Sequence, residues 1–542
     1  MVNNLNLIKK NKIYLYAIFI IILFTLQGDA IHIHEPSPNP LRIVKIDEIQ
    51  NSVLSENFPI YLQKIKGYIG TVFTIYTIFI AIIIFMENKN PSKTISWLLV
   101  LVLFPVIGFI FYLFMGQNVR KKKIFKKKRK RDFPFFEQVA NIQREAVRDK
   151  ELFEANESFV KKRLISLILN NSKSPFTINN HLKVLTNGDE TFSSIIEALK
   201  GAQHHIHLEY FIIKDDYIGG IIKHILMDKA KKGIKVRVIY DSVGSWRLSE
   251  RYLQEMRNAG VEIHAFSPVA FPLLSRKLNY RNHRKIIVID GKIGFLGGLN
   301  IGDEYLGRNP HLGFWRDSHL KVEGEAVYGL QNIFLMDWLF VTNQEITFSP
   351  IYFPKLSHYG EQLIQITASG PDSDWESIMQ AYFSIISSAE DRIFINTPYL
   401  VPGESIMMAL KTAALSGVDV RIILPSKPDH KTVFWASMSN VEELLEAGVK
   451  IYQYKKGFIH AKIVLVDGIV ASVGTANLDI RSLEINFEVN AFIYDQDIVS
   501  KMEKNFLIDI EDSQEIKFEE FLKRPLINKV KESTARLLSP LL

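Results

Sequence analysis

Two stretches of this chain repeat one spacing of residues that could do chemistry. The first reads His283-Arg284-Lys285-Ile286-Ile287-Val288-Ile289-Asp290 and continues to Gly297-Gly298-Leu299-Asn300. The second reads His460-Ala461-Lys462-Ile463-Val464-Leu465-Val466-Asp467 and continues to Gly474-Thr475-Ala476-Asn477. In both, Lys follows His by two residues, Asp by seven and Asn by seventeen. Phosphodiester exchange needs a nucleophile, an acid for the leaving alkoxide and positive charge around the phosphoryl oxygens. Two imidazoles, two ammonium groups and two amides supply all three if the copies meet. One imidazole attacks phosphorus; the other protonates the leaving alcohol and later deprotonates the incoming one. No carboxylate cluster at metal spacing accompanies them, so the expected reaction uses neither metal nor cofactor.

The elements that must position these groups follow from the strand period. His and Lys two apart project from one face of a strand. The four apolar residues after each Lys predict a buried strand, and Asp290-Gly291 and Asp467-Gly468 predict a tight hairpin. A two-residue turn would pair His283 with Gly298 and His460 with Thr475. Asn300 and Asn477 then fall two residues further on, on the face of His and Lys, as phosphate-binding amides. Asp290 and Asp467 fall at the opposite parity, in the turn, which gives them a structural role first and direct chemistry second.

A neutral nucleophilic His needs its far nitrogen oriented, usually by a carboxylate. Asp317 and Glu488, 34 and 28 residues after their histidines, are candidates, with surface acids as the plainer alternative. His204, His205 and His207 cluster at a helix-to-strand transition without a matching set in the second copy, so a metal site there is disfavoured.

From about residue 180, short β-rich runs alternate with amphipathic helices, twice over, as in an α/β domain. Helix-Gly-strand steps recur in the same order: Gly233-Ile234-Lys235 and Gly417-Val418-Asp419, then Gly260-Val261-Glu262 and Gly448-Val449-Lys450. The expected organisation is a membrane region at 1–131, a charged helical linker at 132–175, and tandem domains at 176–350 and 351–542. A pseudo-twofold axis would bring their equivalent loops face to face.

The formal charge of +8 is local: Arg120 to Arg131 hold ten Lys or Arg and no acid, and the rest of the chain sums to −2 (8 − 10). That block follows apolar stretches at Gly67–Met86 and Ile95–Met115, each about 20 residues, enough to cross a bilayer as a helix. Juxtamembrane basic residues face anionic lipid and place the second helix end, and the chain after it, in the cytoplasm. A nucleic-acid partner is disfavoured, because without the block the chain is not basic. The shorter stretch Ile13–Leu26, with Lys9, Lys10 and Lys12 before it, reads as interfacial, re-entrant or an inverted span. The sequence has no cysteine, so disulfides and thiolate chemistry are excluded.

At these residues the chain resembles the phospholipase D superfamily, defined by paired His-x-Lys-x4-Asp motifs with a Gly-x-x-Asn continuation. More narrowly it resembles the bacterial cardiolipin synthases, in Ser96-Trp97-Leu98-Leu99, Trp315-Arg316-Asp317, Asn477-Leu478-Asp479, Arg481-Ser482 and Asn486-Phe487-Glu488. The resemblance implies an N-terminal transmembrane hairpin followed by two tandem α/β domains packed with pseudo-twofold symmetry around a single site. It implies a multi-pass enzyme of the cytoplasmic membrane that converts two phosphatidylglycerols to cardiolipin and glycerol. His283 would be the nucleophile and His460 the acid, with Lys285, Lys462, Asp290 and Asp467 counted in the catalytic motifs. Asp317 and Glu488 match the acids behind the histidines. Gly298 departs from the Ser common at that place. The alternatives are a hydrolytic phospholipase D, a transferase with another acceptor, a nuclease and an inactive scaffold.

Overall fold

The computed structural model describes residues 158–266, 280–346 and 348–539, the helix Pro134–Arg148, and helical stretches between residues 68 and 108. The chain divides into two compact units, Met1–Ile82 and Ile83–Leu542. In the first, residues 75–82 are helical, with Ile75, Ile78, Phe79 and Ile82 exposed. The second includes the helix Pro91–Leu103. Among the described residues no helix is long and apolar enough to cross a membrane. The segment 13–26, the polybasic block and much of both expected spans lie outside the described residues.

The tandem repeat appears as two sheets with one topology. The first has the strand order Asn180–Thr186, Ser318–Gly324, Ile293–Gly297, Lys285–Ile289, His205–Tyr210, Lys235–Asp241, Glu262–Phe266. The second repeats it as Ile364–Ser369, Glu488–Ile493, Val470–Gly474, Ile463–Val466, Arg392–Asn396, Asp419–Pro425, Lys450–Tyr454, with one further short strand at each edge. Parallel and antiparallel pairings also correspond, the three strands of each parallel trio lying beside the motif hairpin.

The motif strands have side chains of both parities buried, as their unbroken apolar runs require. Ile287 and Ile289 join the core under the outer helices, whereas Ile286 and Val288 join a core shared with Ile463 and Leu465 of the second sheet. Val464 and Val466 turn to the second sheet's own helices. The sheets therefore pack through their inner faces, with helices outside. A one-residue slip in either strand would exchange these two cores, so register is strongly fixed.

The described part of the stretch expected to be a linker holds two helices, Pro134–Arg148 and Phe159–Asn171, and the second does more than connect. Val160, Leu164, Ile165, Ile168 and Leu169 of Phe159–Asn171 are buried in the core of the second half. Phe176–Thr177 then pairs with Ile364–Ser369 at that sheet's edge. Sequence that precedes the first half thus completes the second.

Candidate active site

The hairpins bring the motifs to the carboxyl ends of the parallel strands, where α/β sheets open crevices for ligands. Asp290 and Gly291 take φ of 54° and 66°, and Asp467 and Gly468 54° and 68°, the left-handed pair that the Asp-Gly signal implies. The register differs from the expected one. The strands resume at Ile289↔Ile293 and Val466↔Val470, so Lys292 and Ile469 are each an extra residue. His283 is not opposite Gly298, nor His460 opposite Thr475. The amides still reach the cavity, because the chain leaves the strand after Gly297 and Gly474. Asn300 Oδ1 accepts from the Ile212 N–H (3.2 Å), and its Nδ2 donates to the Tyr305 hydroxyl (3.0 Å).

Each motif is threaded beside the other half. His283 N–H donates to Phe487 O (2.9 Å), and Phe487 N–H donates to Arg281 O (2.9 Å). Gly457–Ile459 pairs in parallel with Phe314–Arg316, and His460 N–H donates to Arg316 O (2.7 Å). The acids next in sequence to these pairing residues are therefore exchanged. His283 Nδ1 lies 3.0 Å from Glu488, and His460 Nδ1 lies 2.9 Å from Asp317. Spacing along the chain had put each acid with the histidine of its own half. The structure crosses them.

With Nδ1 engaged by a carboxylate, the proton sits on Nδ1 and the Nε2 lone pair is available in each ring. Lys285 Nζ donates to His283 O (2.7 Å), and Lys462 Nζ donates to His460 O (2.5 Å). Burial lowers His283 below the ordinary imidazole value, with the charges of Lys285 and Lys462 adding to it and Glu488 opposing. Burial and the Lys462 charge bring His460 to about 4, against the pull of Asp317. Burial also lowers Lys285 to about 7 and Lys462 to about 8. For both carboxyls burial works upward but is outweighed, by His460 and Lys462 at Asp317 and by His283, Lys285 and the Thr475 hydroxyl at Glu488. Both stay below the usual carboxylate range.

Gly298 has a local cause. A Cβ there would stand 2.1 Å from Asp317 Oδ1, so the carboxylate occupies the space a Ser would need. In the second half Thr475 fills the corresponding position and its hydroxyl donates to Glu488 (2.5 Å).

Asp290 and Asp467 sit in the turns, away from this centre. Asp290 accepts from the backbone N–H groups of Gln203, His204 and His205 at 2.7–2.9 Å. Asp467 does the same for Glu390, Asp391 and Arg392 at 2.8–2.9 Å. Seven residues of extended chain put each roughly 20 Å from its histidine. Counted with the catalytic motif, these aspartates instead fasten the start of the neighbouring strand. His205 and His207 are likewise structural: both ring edges meet buried Gln331, and His207 stacks on Phe334 at 4.4 Å.

A cavity of about 610 Å³ joins the half-sites, with His283, Asn300, Tyr305, His460, Asn477 and Arg481 among its walls. Tyr305, Arg481 and Asn486 belong to it although spacing alone gave them no role. Their signal was weak: Arg481 and Asn486 fall in short segments shared with a family, and Tyr305 in none. A separate cavity of about 550 Å³, by the helices Pro134–Arg148 and Ala326–Thr342, contains neither motif histidine nor lysine.

A family model described as "Cardiolipin synthase, PLD-like domain" matches residues 195–338 and 382–510. One described as "Phospholipase_D-nuclease N-terminal" matches residues 72–117. The chain is 51% identical over 480 residues to a cardiolipin synthase of Geobacillus sp. (strain WCH70), covering 88% of this chain and 95% of that protein. It is 43% identical over 483 residues to the major cardiolipin synthase ClsA of Bacillus subtilis (strain 168), covering 89% and 100%. In fold it is similar to the crystal structure of a phosphatidylserine synthase of Haemophilus influenzae. That match has a TM-score of 0.55 and 16% identity, over 71% of this chain and 100% of the other.

Proposed function

Because the chain belongs to the bacterial cardiolipin synthases of the phospholipase D superfamily, it is a phosphatidyltransferase that makes cardiolipin, and we propose how its two half-sites divide the work. His283 Nε2 attacks the phosphorus of one phosphatidylglycerol. A P–N bond forms, the P–O bond to glycerol breaks, and His460 Nε2 gives its proton to the departing oxygen. A hydroxyl of a second phosphatidylglycerol then gives its proton to His460 and attacks the phosphohistidine. The P–N bond breaks, cardiolipin leaves and His283 is restored.

Lys285, Lys462, Asn300 and Asn477 surround the phosphoryl oxygens, where preorganised donors are worth most in a site shielded from water. Glu488 and Asp317 hold the rings and stabilise the imidazolium formed in each half-reaction. The observation that carries this reading is the crossed pairing of each histidine with the other half's carboxylate in one cavity. Taking His283 rather than His460 as nucleophile rests on family resemblance. His460 starts neutral in the empty protein, and the anionic phosphodiester counters the burial that keeps it so.

The lipid substrate, the apolar stretches and the basic block support an enzyme associated with the membrane. The finer reading is a multi-pass anchor in the cytoplasmic membrane, with crossings at 67–86 and 95–115 and the catalytic part on the cytoplasmic side. Length, absence of charge and the basic block support it. The test of the activity is product analysis on purified protein with labelled phosphatidylglycerol as sole lipid. Cardiolipin and glycerol in equal amounts are expected. Phosphatidic acid without cardiolipin would make the enzyme a hydrolytic phospholipase D instead.

A further inference from the structure

The two ends of the catalytic cavity differ in charge, although the duplication would make them alike. Arg281 stands two residues before His283, and Arg481 four residues after Asn477. The equivalent places, two before His460 and four after Asn300, hold Phe458 and Glu304. Phe458 is buried against Trp315, with 4.9 Å between ring centroids, and Glu304 pairs with Lys214 (2.7 Å). Arg281 and Arg481 both line the cavity, the first buried and the second partly exposed. One segment brings them to the His283 end. Arg281 O accepts from the Phe487 N–H (2.9 Å), and Arg481 O accepts from the N–H groups of Ile485 (3.0 Å) and Asn486 (2.9 Å). Glu488, next along that segment, is the carboxylate that meets His283.

The acids near the two guanidiniums are shared with other donors. Asp241 accepts from Arg281 (3.2 Å) but also from the backbone N–H groups of Val243, Gly244 and Asn282 at 2.9–3.0 Å. Asp479 caps the helix Ile480–Glu484 through the Ser482 N–H (2.6 Å). Burial holds both arginines below their ordinary value, against Asp241 at Arg281 and Asp479 at Arg481, and the charge of Arg281 adds to the lowering of Arg481. A bound anion offsets that cost. A need common to both half-sites would place such a pair at both ends, and the reacting phosphate already has Lys285, Lys462, Asn300 and Asn477.

The reaction supplies a reason for more positive charge at one end. Hydrolysis, or exchange with free glycerol, brings one phosphodiester into the cavity at a time. Cardiolipin formation brings two, one on His283 and one in the acceptor, with only a glycerol bridge between them. We propose that Arg281 and Arg481 form a second anion subsite, which holds the phosphodiester of the acceptor lipid while the first stands on His283. Guanidinium groups suit this task because each can donate to two phosphate oxygens at once. Two residues of chain put the Arg281 Cα no more than about 7 Å from that of His283, a distance on the scale of the bridge. The inference rests on the transferase reading above and adds the residues that select an anionic acceptor.

The test uses the full-length enzyme with phosphatidylglycerol dispersed in a non-ionic detergent. Radiolabelled glycerol and glycerophosphoglycerol compete as acceptors at equal concentration; the second carries the phosphodiester without acyl chains. The readout is the ratio of the two labels entering lipid. Wild type is expected to favour glycerophosphoglycerol by about tenfold or more, as one hydrogen bond to a charged group is worth roughly that factor. Arg481→Gln and Arg281→Gln are each expected to lower the ratio by about tenfold, and Arg481→Lys, which keeps the charge, by less. A merely structural role would depress both transfers together and leave the ratio unchanged. An unchanged ratio in both Gln variants, or equal use of the two acceptors by wild type, would overturn the subsite. The wild-type arm needs no variant to fold. Failure of the transferase reading would show separately, as wild type yielding no cardiolipin from phosphatidylglycerol alone.

Discussion

The two lysines and two histidines of the site are pressed into a small buried volume, where Glu488 and Asp317 are the carboxylates that meet the histidines. That crowding sets how each titrates. Phosphate binding needs Lys285 and Lys462 charged, whereas attack needs His283 neutral. Since kcat/KM reports the free enzyme, the His460 proton needed by the leaving alcohol becomes scarcer above about 4, and a further, steeper fall should come as pH rises through about 7 to 8, where burial has brought Lys285 and Lys462. On the acid side His283 is lowered below its ordinary value, so the protein stays competent below the usual imidazole range. Lys285→Arg keeps its charge at every accessible pH and should move the alkaline fall upward, toward the range set by Lys462. A pH profile of kcat/KM for the two enzymes checks this, and an alkaline limb that does not move would show that another group controls it. At this scale the sequence was highly legible. Types and spacing located His283, Lys285, His460 and Lys462 because reaction chemistry restricts them so tightly. Which acid serves which histidine was not legible, since that depends on a contact between segments 205 and 143 residues apart.

Among elements, the hairpin is the instructive one. Asp-Gly announced a left-handed turn, and the turn is there, but Lys292 and Ile469 add a residue that no local signal marks. The expected face of Asn300 and Asn477 came from a register that is off by one, and the departure of the chain from the strand restored the outcome. The parity argument did identify the role of the aspartates. Asp290 holds three backbone N–H groups and adopts φ of 54°, which Asp tolerates better than most residues. Asp290→Ala loses both advantages and should destabilise the protein by about 2–4 kcal/mol. Chemical denaturation followed by turnover per folded molecule separates stability from chemistry. A loss of turnover of several hundredfold in fully folded Asp290→Ala would return the aspartate to the reaction itself.

For the molecule as a whole, the crossed pairings mean that neither half holds a complete half-site. The duplication could be anticipated from repeated helix-Gly-strand steps. The packing of Phe159–Asn171 into the second half could not, because an apolar stripe does not say which sheet it meets. Membrane contact is also a whole-molecule property. The helix Leu526–Leu537 turns Glu532 and Ala535 inward, while Leu526, Ile527, Val530 and Leu537 are 52–82% exposed. Arg524 clamps it to Glu442 (2.6 Å) and Arg536 to Glu443 (2.7 Å), so its apolar side faces outward by construction. The reading is an amphipathic helix lying on the lipid surface near the site. Leu526→Asp with Leu537→Asp should cut turnover on vesicles about tenfold or more with the melting temperature unchanged, whereas unchanged turnover would remove the helix from membrane contact.

In the proposed mechanism His283 carries the phosphatidyl group while His460 handles the protons. His460→Asn leaves the nucleophile intact and removes both the acid for the leaving alcohol and the base for the second one, so a labelled phosphatidyl ester of p-nitrophenol, whose leaving group needs no proton, should load it and the covalent intermediate should persist. Incubating this variant with that ester, quenching it and sequencing the labelled peptide by mass spectrometry locates the adduct. The expected result is phosphatidyl on His283, absent from His283→Asn. Label on another residue, or an active wild-type enzyme that forms no phosphohistidine, would contradict it.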